Sequence, residues 1–254
     1  LFILGISVHL YLYIRSGLDP AIDEVDPETW RALYYVIRRE QYPPLNVFQR
    51  KASWIFQFKF FWNYFYNQFR MWGDYSIGIL NIGKLSILVP LVLGLYGIGT
   101  HFSRERRSWY LVFISFLLNS LGLIVFLNFS ADEVRERDYF YSGAFYFFTI
   151  FIGIGATSLL ILARDYFRER KMQVRRYVLS LGVLLVICAI LPARHHWFKH
   201  DRSENYLARD YAFNLLAPLE PDAIIFTNGD NDTFPLWYIQ TVENFRTDVR
   251  VANL

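Results

Sequence analysis

Four long blocks with almost no charged residues constrain the fold of this chain more than any other feature. They cover residues 75–100, 109–130, 139–163 and 177–193. Lys84 is the single charged residue within them. A helix that spans the hydrocarbon core of a membrane needs about 20 mostly apolar residues. The blocks therefore predict four membrane-spanning helices, near residues 79–100, 109–129, 142–163 and 177–193.

The composition agrees, because 54% of residues are apolar and 19% are aromatic, which is unusual for a soluble protein. A fifth apolar stretch, residues 1–14, is too short to span by itself. The chain has no initiator Met and no signal-peptide pattern at its start. We expect residues 1–14 to be part of a first spanning helix, and the chain to be a fragment that also stops inside a strand. Cys188 is the only cysteine, so no disulfide is possible within the chain.

The connections between the blocks alternate in charge. "HFSRERRS" (101–108) has three arginines and one acid, and "RDYFRERKMQVRR" (164–176) has six basic residues and two acids. Both are expected to be cytoplasmic, since positive charge concentrates on that side. "SADEVRERDYFYS" (130–142) has four acids and two arginines and belongs outside. Alternation then places residues 15–74 and 194–254 outside as well.

The external segment 15–74 contains two predicted helices. "DPETWRALYYVIRREQ" (26–41) combines a helix-start signal with helical apolar spacing. In the aromatic segment (53–72), eleven of twenty residues are aromatic, which favours a helix in the headgroup layer of the membrane. That helix either packs across the ends of the spanning helices or binds a lipid-linked ligand, and the sequence leaves both interpretations open.

The tail has a different pattern, which predicts the start of a soluble α/β domain. "ENYLARDYAFNLLAPL" favours an amphipathic helix, "DAIIFTN" a buried strand, "TFPLWYIQTVENF" a helix and "DVRVANL" another strand. Strand, helix and strand at this spacing form a βαβ unit with parallel strands. The predicted domains are thus 1–193, in the membrane, and 194–254, outside it. The fold class is mainly α, with an external α/β domain.

Charged residues cluster at the outer mouth of the third complete span. Arg135, Glu136, Arg137 and Asp138 stand beside two tyrosines. An arginine offers a fork of donors that fits a phosphate, and a neighbouring acid can orient it. The cluster is a candidate site for a donor phosphate or another substrate. The alternative is a solvated charge cluster that only ends the helix.

His9 and Arg15 form a second candidate substrate site, at the end of the first apolar stretch. An ionisable residue inside a spanning helix is a functional hypothesis by default. A structural histidine close to the membrane surface explains His9 equally well.

Two further motifs are weaker candidates. His196 and His200 are four residues apart, on one face of a helix, but a zinc site needs a third ligand and we expect no metal there. Asp230, Asn231 and Asp232 have the D-x-D form that holds a divalent cation in nucleotide-sugar transferases. We prefer a structural interpretation, in which Gly229 supplies a turn and Asp232 or Thr233 caps a helix whose first turn contains Pro235. No cofactor is firmly implied.

Several stretches together resemble a known family. They are "SVHLYLYIRSGLDPAIDEVDPETW", "REQYPP", "EVRERDYFY", "HDRSENYLARDYAFNLL" and "FTNGDNDTFPLWYIQTVENFRTDVRVANL". The chain resembles, over nearly its whole length, a bacterial family of multi-spanning proteins related to the transmembrane protein O-mannosyltransferases. The resemblance implies a C-type glycosyltransferase fold in a bacterial inner membrane. It also implies that the catalytic carboxylate belongs to a first external loop that precedes Leu1.

The function that follows is transfer of a mannose-like sugar from a polyprenyl-phosphate carrier to a hydroxyl of an extracytoplasmic protein. The expected partners are the lipid bilayer, the polyprenyl-phosphate donor and the acceptor protein, with no nucleic acid. The alternative is a non-catalytic membrane scaffold or assembly subunit that docks a partner through its external domain.

Overall fold

The structure is a computed structural model, and it describes residues 7–23, 25–40, 49–71, 76–77, 80–132 and 136–254. The chain divides into two compact units. The helical unit is Asn46–Asp201, and the second unit combines Leu1–Leu45 with Arg202–Leu254. The boundary predicted between residues 193 and 194 stays a prediction, and these residues lie within the helix Val174–His200.

The described part of the chain is mostly helical, as predicted. In chain order its elements are α1 (Leu10–Ser16), α2 (Trp30–Ile37), α3 (Trp54–Phe69), β1 (Ser76–Ile77), β2 (Leu80–Asn81), α4 (Ile82–Leu85), α5 (Leu88–Arg104), α6 (Arg106–Leu117), α7 (Leu123–Leu127), α8 (Ser142–Glu169), α9 (Val174–His200), α10 (Leu207–Leu216), β3 (Ile224–Thr227), α11 (Asp230–Val242) and β4 (Arg250–Asn253). A π-helical turn joins α6 to α7, and a 3₁₀ turn precedes α8.

Among the described residues, four helical stretches are long and apolar enough to cross a membrane. They are Gly83–Arg104, Arg106–Leu127, Asp138–Glu169 and Val174–Phe198. At the predicted cytoplasmic ends these stretches run beyond the apolar blocks into arginine-rich sequence. Arginine stems cover apolar surface while their charged ends reach water, so the backbone remains helical there.

Two glycines bring α5 and α8 into close contact. A Cβ atom on Gly97 would overlap the carbonyl oxygen of Phe151, and a Cβ atom on Gly155 would overlap that of Leu93. Small residues at such positions let the backbones of membrane helices approach each other. This pair of helices is the central contact of the helical unit.

The helix α3 confirms the prediction that the aromatic segment is helical. It begins after Ser53, whose hydroxyl accepts the amide hydrogen of Phe56. Its buried side chains Phe65 and Phe69 pack against Phe145 and Phe148 of α8. These contacts agree with the interpretation in which the aromatic helix packs against the spanning helices.

In the second unit, α2 confirms the helix predicted from residue 26 onward. Thr29 caps it by accepting the amide hydrogen of Ala32. Trp30 stacks on Tyr13 of α1, with 4.7 Å between ring centroids. Leu33 is the buried side chain of this helix, whereas Trp30 and Ile37 are exposed.

The strands β3 and β4 are parallel and joined through α11, which confirms the predicted βαβ unit. The helices α10 and α11 cover one side of this sheet, with a core of Ala212, Leu216, Leu236, Ile239 and Val249. The prediction that β3 is fully buried is wrong. Its residues Ile224 and Phe226 are exposed, since the described residues cover the opposite face.

Candidate functional site

The mouth, predicted to be external, is represented here by the described residues Glu136–Tyr141 that lead into α8. The backbone of Asp138–Tyr141 forms the 3₁₀ turn that leads into α8. Glu136 and Asp138 are exposed, whereas Arg137 is half-buried. Arg135 lies outside the described residues. Of the two arginines predicted to form the site, Arg137 is the one that the structure describes.

Arg137 is tied to two tyrosine hydroxyls. Its backbone amide donates to Oη of Tyr64 at 2.9 Å, and its Nη1 atom donates to Oη of Tyr139 at 3.1 Å. Tyr64 belongs to α3, so the aromatic helix and the mouth of α8 are joined at this point. A guanidinium held beside the start of a helix, where the helix dipole is positive, suits an anionic ligand.

The Tyr64 phenol remains protonated at neutral pH. Burial raises its pKa above the ordinary value of 10.0, and the nearby carboxylates of Glu136 and Asp138 raise it further. The hydrogen bond from the Arg137 amide acts in the opposite direction. The hydroxyl thus accepts from Arg137 while keeping its own proton.

An apolar cavity of about 400 Å³ lies between the spanning helices and the end of α3. It is bounded by the end of α3 and by the outer halves of α5, α8 and α9, as the topology predicted from charge places them. Its lining residues are Gln68, Phe69, Met71, Val89, Pro90, Leu93, Thr149, Ile152, Gly153, Ala156, Leu185, Cys188, Ala189 and Pro192. A cavity of this size and character fits hydrocarbon.

The contact of the mouth with Tyr64 and the lining of the cavity share α3, and α8 begins directly after the mouth. Tyr64 and Gln68 are four residues apart, so they lie one turn apart on one face of α3. Thr149 lies seven residues beyond the start of α8, about 10 Å along its axis. A ligand with its charged head at Arg137 would therefore have its apolar tail within reach of the cavity.

A buried polar contact fixes α3 over this region. The side-chain amide of Gln57 donates to Oδ1 of Asn128 at 3.0 Å and to the carbonyl oxygen of Phe129 at 3.0 Å. Arg50 donates to the carbonyl oxygens of Ile124 and Val125 at the end of α7. These bonds satisfy carbonyl groups that a helix end leaves without partners.

The candidates His9 and Arg15 belong to the second unit, whereas Arg137 belongs to the helical unit. His9 is half-buried at the start of α1, and Arg15 is exposed in its last turn. The buried side chain next to them is Ser16, whose hydroxyl donates to Asp23 at 2.6 Å.

The D-x-D motif lies at the junction of β3 and α11, but the predicted cap is wrong. Gly229, with φ of 107°, is the N-cap residue, and α11 begins at Asp230. A positive φ lets the chain turn at once after the strand, so the helix starts earlier than predicted. Pro235 consequently lies in the second turn, inside the helix.

Two buried threonine hydroxyls hold this junction together. Thr227 and Thr233 are buried, with 2.7 Å between their Oγ1 atoms, and Thr233 donates to the carbonyl oxygen of Gly229 at 2.8 Å. Asn253 of β4 accepts from the Gly229 amide at 3.2 Å. Asp230 and Asn231 are exposed, and Asp232 accepts from the Tyr211 hydroxyl at 3.1 Å.

The His196 and His200 rings lie on one helix, as predicted, with 6.1 Å between their centroids. Within the described residues, no group of three or more histidine, cysteine or acidic side chains is placed to hold a metal ion. Among these residues, neither the histidine pair nor the D-x-D motif belongs to a group of three or more potential metal ligands.

The sequence interpretation missed Tyr64, Gln57 and the cavity residue Gly153. A tyrosine or a glutamine within a strongly aromatic helix forms no sequence motif that marks it as part of a site. The available signal was helical spacing, because Gln57, Tyr64 and Gln68 recur at intervals of seven and four.

Comparison with known proteins gives one match. Residues 208–254, which contain most of α10 and the whole βαβ unit, match the family model of the TMEM260-associated domain 2. No curated protein and no solved structure matches the chain. The C-terminal part of the chain is therefore similar to a domain associated with TMEM260.

Proposed function

We propose that this chain is part of a membrane glycosyltransferase that takes a mannose-like sugar from a polyprenyl-phosphate carrier. The observation that carries the proposal is that Tyr64, which accepts from the Arg137 amide, lies one turn from Gln68, which lines an apolar cavity between spanning helices. A polyprenyl phosphate has a charged head and a long apolar tail. Both parts of that ligand would find chemically suitable surroundings here.

The family match supports the same class of protein. TMEM260 has been proposed to be a protein O-mannosyltransferase. The matched residues make up less than half of the chain. The match therefore supports the class of protein, and it carries no information on the sugar donor or the sugar acceptor. The sequence resemblance described above supplies the expectation of a protein hydroxyl as acceptor.

In this scheme the chain contributes charge stabilisation. A carboxylate removes the proton from the acceptor hydroxyl, whose oxygen attacks the anomeric carbon of the sugar. The bond between that carbon and the lipid phosphate breaks, and negative charge develops on the departing phosphate. Arg137, oriented by its bond to Tyr139, would stabilise that charge. Arg15, from the second unit, is a further candidate for the same role.

The cavity can be tested separately from the chemistry. A Cβ atom on Gly153 meets nothing within 4 Å, so Gly153→Leu fills part of the cavity without overlapping backbone. Gly99 of α5 has equally open surroundings and does not line the cavity, so Gly99→Leu is the matched control. The measurement is binding of a tritiated polyprenyl phosphate to the purified chain in nanodiscs.

We expect saturable binding by the wild type and by Gly99→Leu, and at least tenfold weaker binding by Gly153→Leu. Equal binding by both variants would remove the cavity from the donor site. Absence of saturable binding by the wild-type chain would favour the non-catalytic scaffold instead.

A further inference from the structure

The opposite end of the helical unit has a groove that the proposed function does not use. It runs along α9 and has a volume of about 650 Å³. Its lining residues are Arg164, Val174, Arg175, Val178, Leu179, Gly182, Val183, Val186 and Ile187. All except Arg164 belong to α9, and they recur at helical spacing, so the groove follows one face of that helix.

The groove has the length and polarity of one membrane leaflet. From Val174 to Ile187 the helix rises about 20 Å, which exceeds half of the about 30 Å hydrocarbon core. Below Arg175 the lining is entirely apolar. Gly182 removes a side chain from the middle of the groove, where a Cβ atom would lie 4.0 Å from Leu160 of α8. An extended hydrocarbon chain matches this shape.

A second recess adjoins the arginine end of the groove. It has a volume of about 620 Å³ and is lined by Gln173, Val174, Arg175, Arg176 and Leu179. Val174, Arg175 and Leu179 line both cavities, so the recess lies beside the groove. The polar residues of its lining are Gln173, Arg175 and Arg176.

The charge around the recess favours an anion. Residues 164–176 contain six basic side chains and two acids. One of those acids, Asp165, accepts from Nε of Arg164 at 2.9 Å and orients that guanidinium. Arg175 and Arg176 lie in the first turn of α9 and are exposed. Basic pockets at the cytoplasmic ends of spanning helices attract anionic lipid headgroups.

We infer that this groove binds an anionic phospholipid of the leaflet that contacts residues 164–176, with the phosphate at Arg175 and Arg176 and an acyl chain along α9 as far as Ile187. The combination of a guanidinium pair with a continuous apolar groove distinguishes this ligand from a free phosphate and from a neutral lipid. The site is separate from the cavity proposed for the donor, whose lining shares no residue with it.

The test uses the whole chain, delipidated in detergent and then mixed with dioleoylphosphatidylglycerol or dioleoylphosphatidylcholine. Native mass spectrometry measures the lipid retained per protein. Arg175→Gln removes one charge from the recess, and Arg168→Gln removes one charge from the same basic segment outside the groove. Gly182→Leu fills the groove, whereas Gly182→Ala makes an ordinary contact with Leu160 and serves as its folding control.

We expect the wild type to prefer phosphatidylglycerol to phosphatidylcholine, and Arg175→Gln to bind phosphatidylglycerol about fivefold more weakly. Gly182→Leu should also lose the lipid, while Arg168→Gln and Gly182→Ala should keep it. Three results would overturn the inference: equal retention of the two lipids, equal loss in Arg175→Gln and Arg168→Gln, or displacement of the lipid by inorganic phosphate. Dissociation of a dimer by Gly182→Leu would assign the groove to a second copy of the chain.

Discussion

The side-chain amide of Gln57 and the Oδ1 atom of Asn128 lie 3.0 Å apart in a buried hydrogen bond. The two residues are 71 positions apart, and their contact attaches the aromatic helix α3 to the end of α7. Asn128 also accepts the amide hydrogen of Lys51 at 3.0 Å and donates to the carbonyl oxygen of Gln49 at 2.8 Å. One side chain thus connects three points of the preceding segment.

Replacing Asn128 should therefore weaken the attachment of α3. Asn128→Ala leaves the buried Gln57 amide with one partner fewer, and we expect a loss of about 2–3 kcal/mol in the free energy of unfolding. Asn128 has φ of 48°, a conformation that alanine tolerates poorly and glycine tolerates well. Asn128→Gly should be less destabilising by about 1 kcal/mol. Unfolding in mixed micelles measures both values, and equal stability of Asn128→Ala and wild type would refute the role of this residue.

The close contact of α5 and α8 gives a second prediction. Gly155→Ala places a methyl group on the carbonyl oxygen of Leu93, so the helices must separate, at a cost of about 1–3 kcal/mol. The control is Gly99→Ala, where the added methyl group meets nothing within 4 Å. Thermal unfolding in detergent should show a lower melting temperature for Gly155→Ala and little change for Gly99→Ala. An unchanged melting temperature for Gly155→Ala would mean that the two helices do not approach so closely.

At the D-x-D junction, threonine should matter more than aspartate for stability. Thr233→Val removes a buried hydroxyl that contacts Thr227 and donates to Gly229, with an expected loss of about 1–3 kcal/mol. Asp230→Asn removes an exposed charge from the first turn of α11, with an expected loss of about 0.3–1 kcal/mol. Hydrogen exchange of the α11 amides measures the order of these effects. A larger effect of Asp230→Asn, or divalent-cation binding that Asp232→Asn abolishes, would restore the metal interpretation.

Acid should loosen the end of α10. Hydrogen bonds from Arg246 lower the pKa of Asp248 from 3.8 to about 2. Because the folded-state pKa is below the unfolded value, this carboxylate stabilises the fold above about pH 4, and that stabilisation is lost as the pH falls toward 2. Arg246 also donates to the carbonyl oxygens of Leu216 and Leu219. The protection factor of the Asp222 amide, which donates to Asp248, should fall over this pH range. In Asp248→Asn, the protection factor of the Asp222 amide should be low and should not change between pH 4 and pH 2.

The sequence predicted those elements whose signals are local. Spans are visible because hydrocarbon excludes charge over a whole helix, and the βαβ unit is visible because its strands and helices differ in apolar period. The helix α2 was predictable from its local apolar spacing, although it begins at Trp30 with Thr29 as its cap and not at the predicted Asp26 and Pro27. In each of these cases the deciding interactions lie within a few residues.

Features that depend on distant pairing were not predictable. The amide of Gly229, at the start of α11, donates to Asn253, which lies 24 residues further along the chain. The Gln57 and Asn128 contact depends on how the aromatic helix packs. The cavity depends on the crossing of α5, α8 and α9, which no single segment encodes. Such features arise from tertiary packing, where local propensity carries little information.

The most direct test of the proposed function is sugar transfer by the whole protein in its native membrane. Radiolabelled polyprenyl-phosphate mannose is supplied, and label on protein hydroxyl groups is counted for wild type, Arg137→Ala and Arg107→Ala. Arg107 is an exposed arginine at the predicted cytoplasmic side and controls for loss of charge. We predict about 100-fold lower transfer for Arg137→Ala, the scale of losing one group that stabilises developing charge, with normal membrane insertion and unchanged transfer by Arg107→Ala. Wild-type transfer by Arg137→Ala, or no transfer by the wild type, would contradict the proposal.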